Sequence, residues 1–324
     1  MNKNINFRTD MADERVDEYK KINNLTKLNG VEVISNNIEN VEVVRVNVLN
    51  EDGKEALKKD IGTYITIETN DIKYMDDEEE NKLINVVANE LKELLKNKSV
   101  KEKSSILVVG LGNEYITPDA LGPKVVKNVS VTRHILNYAK ELLEENTKEV
   151  SAITPGVLGT TGIETSDIIK SIVQNIKPDA VIAIDSLASS SMHRIGNTIQ
   201  LSDTGITPGA GVKNKREGLN LETLGIPVIG VGVPTVVDIS TITNEAIDKM
   251  LENTKNSMSD LENINENDLN YFINFFSQEE RYNMIANLLN SNNYILTPKE
   301  VDELIDLTSS IIGKSLNLAL DIKL

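Results

Sequence analysis

Two aspartates stand where an α/β chain does its chemistry. Asp185 follows the apolar run Val181-Ile-Ala-Ile184, which reads as a buried strand, so it is expected to leave that strand at the C-terminal edge of its sheet. Asp119 lies beyond a second apolar run, residues 106–109. That run breaks at Gly110 and Gly112, and Thr117-Pro118 reads as a helix start, which puts Asp119 in the first helical turn. In open α/β sheets, ligands bind at this mouth. Two carboxylates brought together there can share a proton, one acting as base on a water and the other as acid, which suffices to hydrolyse a peptide bond without metal. Aspartate is also a common cap at such positions, so residue type and position leave both readings open.

Other constellations carry less. Gly110-Leu-Gly112 invites a dinucleotide-binding reading, but Tyr115 stands where the third glycine belongs, and Gly209-Ala-Gly211-Val-Lys213 has the wrong spacing for a phosphate loop. His134 and His193 are the only histidines, without an H-E-x-x-H or G-x-S-x-G motif around them. Asp203-Thr204-Gly205 spells the tripeptide of all-β aspartic proteases, yet here it follows a short strand, residues 198–201, in an alternating chain and reads as a turn. Ser189, Ser190 and Ser191 read as helix-start chemistry.

The elements that must position the aspartates follow from periodicity. Residues 31–34, 41–48 and 62–69 read as short strands of a small antiparallel or mixed sheet. The acidic run 76–80 suits the N-terminus of a helix whose apolar positions are Leu83, Val87, Leu91, Leu94 and Leu95. From Ser104 the pattern becomes strand, loop, helix, repeated, with strands at 106–109, 151–154, 180–184 and 228–233 and helices at 161–174 and 235–254. Residues 253–270 are polar and Asn-rich, an expected linker, and residues 271–289 and 298–320 read as helices. This predicts an α/β fold with a mostly parallel sheet flanked by helices, a small N-terminal β addition and C-terminal helices.

Composition bounds the function. The 324-residue chain is 40% hydrophobic and 26% charged, with a formal net charge of −16. That balance argues against a nucleic-acid surface, which needs clustered Lys and Arg. The chain has no cysteine, which removes thiolate nucleophiles, disulfides and Cys-ligated zinc. No signal peptide or bilayer-spanning run is read, so a cytoplasmic place is expected.

At this point the residues resemble a family. Gly110-Leu-Gly-Asn-Glu-Tyr-Ile-Thr-Pro-Asp119-Ala-Leu-Gly-Pro123 is similar to the signature of the spore germination proteases, which degrade small acid-soluble spore proteins. The likeness continues through Pro155-Gly156, Gly162-Ile-Glu-Thr-Ser-Asp167, Ile182-Ala-Ile-Asp185-Ser-Leu-Ala188, Gly225-Ile-Pro-Val228, Val233-Pro-Thr-Val-Val-Asp238 and Leu296-Thr-Pro-Lys-Glu-Val-Asp302. The resemblance implies an atypical aspartic endopeptidase, with a fold similar to hydrogenase maturation proteases and Asp119 and Asp185 as catalytic carboxylates. No cofactor and no direct nucleic-acid or membrane partner are expected, and the resemblance implies a place in the forespore and spore core. It further implies a tetrameric zymogen that trims its own N-terminus and cuts after an acidic residue, before a hydrophobic residue and Ala.

That specificity gives Arg8-Thr9-Asp10-Met11-Ala12-Asp13-Glu14 a meaning, because it looks like a copy of such a site. Residues 1–10 are then expected to be a propeptide, released between Asp10 and Met11, and residues 11–324 a single peptidase domain. The alternative for Asp10 is a helix cap. An acidic residue before the cut needs a cationic or donor-rich pocket, for which Lys213, Lys215 and Arg216 are the candidates. Mild acid is expected to favour self-cleavage, since the working state holds one protonated and one ionised carboxyl. Two other functions remain: a metal-dependent maturation-type endopeptidase, with His193 as the nearest third ligand, or a non-catalytic anion-binding module.

Overall fold

The computed structural model describes residues 8–101, 103–143, 147–207, 217–259, 280–281, 284–285, 287 and 294–322. The chain opens with helix α1 (Ala12–Asn23), then β1 (Val31–Ile38), β2 (Val41–Val48), α2 (Glu51–Leu57), β3 (Gly62–Glu68) and α3 (Asp77–Asn97). Next come β4 (Ser105–Gly110), α4 (Leu121–Lys127), α5 (Arg133–Tyr138), β5 (Glu149–Ile153), α6 (Leu158–Thr161) and α7 (Thr165–Ile176). The rest is β6 (Ala180–Ser189), β7 (Thr198–Ser202), α8 (Leu221–Leu224), β8 (Val228–Asp238), α9 (Ile239–Ser259), β9 (Ile295–Leu296) and α10 (Val301–Ala319).

All described strands join one sheet in the order β1-β2-β3-β7-β8-β6-β4-β5, with β9 added to β8. Its heart is parallel: β5, β4, β6 and β8 run the same way, connected by helices as crossovers require. The N-terminal strands β1 to β3 pair antiparallel, and β3 then pairs antiparallel with β7, so the addition extends the main sheet. The α/β architecture read from the sequence is the one observed.

Alternation along the strands sorts two faces. Ile182 and Ile184 of β6, with Ile65, Ile67, Ile199, Leu201 and Val231, point to the large core built with α3, α4 and α10. Val181 and Ala183 point the other way, to Leu107, Val109 and the α7 residues Ile169 and Val173. Helix α3 starts as its acidic run suggests: Asp76 and Glu79 close a capping box, and Leu83, Leu91 and Leu94 are fully buried.

Several boundaries differ from expectation, each for a physical reason. Strand β6 continues past Asp185 to Ser189, and β8 continues past Val233 to Asp238, because the two extensions pair with each other beyond the end of β4. A register shift between Leu187 and Ala188 accommodates Pro234 within that ladder. The helix expected from Thr235 therefore begins at Ile239, and Ser189 ends a strand instead of starting a helix. Helix α10 begins at Val301, with Pro298 ahead of it in the approach. Most of 271–289 lies outside the described residues.

Helix α1 was not foreseen. It lies over β2 and β3 on the face opposite the large core, with Ala12, Val16 and Tyr19 packed on Val46, Val48, Leu57 and Tyr64. Its buried side also carries Asp13 and Arg15, so it lacks a continuous apolar stripe.

Candidate active site

The ends of the parallel strands form a cavity of about 290 Å³. Asp119 and Asp185 both line it, and so does Asp10. Its other walls include Leu111, Gly112, Glu164, Ser166, Ser186, Leu187, Ala188, Glu217 and Leu219.

Asp185 reaches the cavity because its strand is pinned from both sides. Leu111 N–H donates to the Ile184 carbonyl at 2.8 Å, and Asp185 itself pairs in register with Gly232 of β8. Asp185 is only 5% exposed, and its Oδ1 accepts the Ser186 N–H at 2.9 Å. The Ser186 hydroxyl beside it is buried without a hydrogen-bond partner.

Asp119 sits in a short 3-10 turn, Thr117–Asp119, with Pro118 at its start. The turn is tied to β8 by the Thr235 hydroxyl, which donates to the Pro118 carbonyl at 2.7 Å. Asn113 N–H donates to both the Asp119 carbonyl, at 3.0 Å, and its Oδ2, at 2.9 Å. Gly112 makes this approach possible: its φ is +107°, and a Cβ there would lie 2.0 Å from the Asp119 carbonyl oxygen. Gly112→Ala should therefore displace Asp119, costing about 1–3 kcal/mol through backbone strain, with cleavage lost more steeply than stability. Parallel thermal melts and substrate digestion check this; a variant that cuts normally would contradict it.

The third carboxylate is held by its own chain segment. Thr9, Met11 and Ala12 are fully buried and Asp10 is 7% exposed. Asp10 N–H donates to the Ala188 carbonyl at 2.8 Å, while Asp10 Oδ2 accepts the Ala188 N–H at 2.9 Å. One backbone bond and one side-chain bond thus tie the segment to Ala188 near the end of β6. Asp10 does not cap α1, since Met11 is the N-cap residue and makes no side-chain cap bond. The Asp10 carbonyl accepts from Lys59 Nζ at 2.6 Å and from Gln200 Nε2 at 3.2 Å. Gln200 Oε1 in turn accepts the Ala12 N–H at 2.7 Å, and Met11 N–H donates to the Thr9 hydroxyl at 3.0 Å.

Charge around this segment is balanced by named groups. Arg15 donates to the carbonyls of Thr9, at 2.9 Å, and of Leu57, at 3.0 Å; its burial lowers its pKa, while Asp10 acts to raise it. Lys59 is half-buried, with its ammonium 5.1 Å from the Tyr64 ring centre. That desolvation, with Arg15 nearby, brings its pKa down to about 7 against the opposing pull of Asp10, Asp13 and Asp60. Arg194 anchors the start of α1, with Asp13 at 2.6 Å and Glu14 at 3.6 Å. Glu14 holds the end of β6 by accepting from the Ser189 hydroxyl at 2.6 Å and the Ser190 N–H at 2.8 Å.

The other candidates fall elsewhere. Lys213, Lys215 and Arg216 lie outside the described residues. Among the described residues, Lys59 and Arg15 place positive charge near Asp10, and sequence reading missed them because only the fold sets both against it. Asp203 lies in a bend after β7, where its Oδ1 accepts the Thr63 N–H at 2.8 Å, so the D-T-G tripeptide is a structural turn. His193 sits in the 3-10 turn Met192–Arg194 and does not line the cavity. Among the described residues, no three His, Cys, Asp or Glu side chains are grouped to hold a metal ion, and no helix is long and apolar enough to cross a membrane.

Comparison with known proteins covers nearly the whole chain. The germination protease from Clostridium acetobutylicum is 42% identical over 316 residues, 97% of this chain and 94% of the relative. That from Clostridium perfringens strain SM101 is 44% identical over 321 residues, 97% and 95% of the two chains. The Bacillus mycoides protein of the same name is 43% identical over 338 residues, 96% and 90%. A crystal structure of a [NiFe] hydrogenase maturation protease, HycI from Thermococcus kodakarensis KOD1, is 21% identical, covering 45% of this chain and 80% of that one. Its TM-score is 0.29, a likeness too slight to bear on the fold. The sequence profile described as germination protease matches residues 7–276, and with these relatives it places the chain in the germination protease family.

Proposed function

We propose that the chain is a self-processing aspartic endopeptidase that cuts small acid-soluble spore proteins during germination. The observation that carries this reading is the meeting of Asp10, Asp119 and Asp185 on one cavity. Asp119 comes from the turn that follows β4 and Asp185 from within the neighbouring parallel strand β6, and the acidic residue of the copied cleavage site lines the same cavity.

In this reading Asp119 and Asp185 share one proton. The ionised carboxylate takes a proton from a water as its oxygen adds to the scissile carbonyl carbon, and the protonated one donates to the leaving amine. The unprocessed chain is a zymogen whose Asp10 fills the acidic-residue position of the site. Removal of residues 1–10 opens that position to spore proteins. The active form is a homotetramer in the forespore and spore core, as the family resemblance implies, and mild acid favours self-cleavage. It needs no cofactor and engages neither nucleic acid nor membrane.

Ala188 explains the preference for an acidic residue before the cut. Its N–H is a fixed donor to the Asp10 carboxylate, and Lys59 and Arg15 supply positive charge nearby. Digestion of an acid-soluble spore protein, followed by mass analysis of the fragments, should show cuts after Asp or Glu only. Cuts spread over neutral residues, or no cleavage by the processed chain, would overturn the assignment.

A further inference from the structure

We propose that Lys59 and Gln200 are catalytic residues of self-cleavage, forming the electrophilic half of the site by binding the carbonyl oxygen of Asp10. The inference rests on the reading that the bond between Asp10 and Met11 is the one cut. Its geometry is independent of the carboxylate pair.

The carbonyl of Asp10 has two side-chain donors converging on one oxygen, Lys59 Nζ at 2.6 Å and Gln200 Nε2 at 3.2 Å. Neither Lys59 nor Gln200 lines the cavity that Asp10 shares with Asp119 and Asp185. The oxygen is therefore turned toward the donors, while the residue that bears it borders the space where a water would stand. This is the division that acyl transfer needs: nucleophile on one side, charge-stabilising donors at the oxygen.

Gln200 is itself held. It lies on β7 between Ile199 and Leu201, which face the large core, so its side chain points to the opposite face, under α1. There its Oε1 accepts the Ala12 N–H at 2.7 Å, which fixes the amide so that Nε2 faces the Asp10 oxygen. Lys59 approaches from the segment between α2 and β3, its ammonium packed by the Tyr64 ring. The N–H of Met11 is meanwhile engaged by the Thr9 hydroxyl, so both ends of the peptide unit are oriented.

The step balances as follows. The water oxygen adds to the Asp10 carbonyl carbon, the carbonyl π pair moves onto oxygen, and the water's proton passes to the ionised carboxylate of the pair. The oxyanion is held by the Lys59 ammonium and the Gln200 amide. Its pair then re-forms the double bond as the carbon–nitrogen bond breaks, and the protonated carboxyl gives its proton to the departing nitrogen of Met11. The products are a carboxyl group at Asp10 and an amine at Met11, and the carboxyl's proton then passes to the amine to give a carboxylate and an ammonium.

Charge on Lys59 has a pH signature. The groups facing it are Asp10, Asp13 and Arg15 from the terminal segment and α1, Asp60 from its own loop, and Tyr64 from β3. Their sum leaves its pKa at about 7, so the cation is present below that pH and lost above it. Self-cleavage should slow as pH rises through about 7 in the natural chain. Lys59→Arg, which stays charged, should shift that fall to higher pH.

The experiment measures the rate at which the purified full-length chain loses residues 1–10, by mass, across pH 5–9, for the natural chain, Lys59→Met, Lys59→Arg and Gln200→Glu. Removing one such donor costs roughly 100-fold or more in rate, so Lys59→Met should be slowed by about that factor. Gln200→Glu keeps the acceptor for Ala12 N–H but loses the donor, and should be slowed at least as much. Thermal melts accompany each variant, and if Lys59→Met does not fold, Gln200→Glu decides. Folded variants that cleave at the natural rate with the natural pH profile would overturn the proposal, leaving the two side chains as mere anchors. A natural chain cut at another bond would overturn both this proposal and the self-processing reading. Slowing in Lys59→Met together with normal cleavage by Asp119→Asn would support the carbonyl donors and remove the carboxylate pair.

Discussion

Asp119→Asn and Asp185→Asn are each expected to lower cleavage of an acid-soluble spore protein by about 10⁴-fold, the upper range for a positioned acid or base. The two substitutions keep the hydrogen bonds described for both side chains. Asparagine keeps an oxygen at Oδ1, so the bond from Ser186 N–H to residue 185 survives, and an amide rotated to suit still accepts Asn113 N–H at residue 119. Each variant should therefore fold with a near-natural melting temperature while losing the ability to exchange a proton with water. The double variant should be little worse than either single one, because the two carboxyls act as a unit. Digestion by pre-processed natural and variant chains, with fragments resolved by mass, measures this. A single variant that retains a tenth or more of natural activity would mean that the pair is not the acid–base machinery.

The second large effect concerns self-processing alone. Asp10→Asn preserves an acceptor for Ala188 N–H but removes the negative charge that balances Lys59 and Arg15. A hydrogen bond to a charged group contributes about 1.5–3 kcal/mol, so release of the N-terminal peptide should slow by roughly 10-fold or more. The unprocessed variant should also melt earlier than the natural chain, since the buried Arg15 loses the carboxylate that acts to raise its pKa. Cleavage of added spore protein by a chain already beginning at Met11 should be unaffected by what stood at residue 10. Equal self-processing rates for Asp10→Asn and the natural chain would show that charge at this position is not read.

The carboxylates could be found in the sequence because the chemistry of the strands around them is local. A run such as Val181 to Ile184 declares a buried strand, and whatever polar residue follows it must sit near the mouth of the sheet. The length of that strand could not be read, because Asp185 to Ser189 is held by pairing with β8, a long-range contact that no local pattern encodes. The same holds for β8, whose Pro234 speaks against a strand until the register shift opposite it is seen.

Helix α1 was hidden for a different reason. Its inward side carries Asp13 and Arg15, which are satisfied by Thr66, Arg194 and the carbonyls of Leu57 and Lys58, so burial is by polar pairing as well as by apolar contact. A sequence pattern of hydrophobicity cannot register such a face. The electrophilic partners were equally invisible: Lys59 and Gln200 reach the same oxygen from different elements, and only the folded sheet brings them there. An acidic residue in a site calls for positive charge, and among the described residues Lys59 and Arg15 carry it near Asp10. The basic cluster at Lys213, Lys215 and Arg216 lies outside the described residues.

The central claim is that the cavity shared by Asp10, Asp119 and Asp185 is a protease site that first acts on its own chain. The most direct test is the mass of the N-terminal peptide released from the purified full-length chain in mild acid, taken for the natural sequence, Asp119→Asn and Asp185→Asn. The account predicts that the natural chain releases residues 1–10 and then begins at Met11, and that neither variant releases the peptide. Release of that peptide by either variant, or a natural chain that is cut elsewhere, would contradict it.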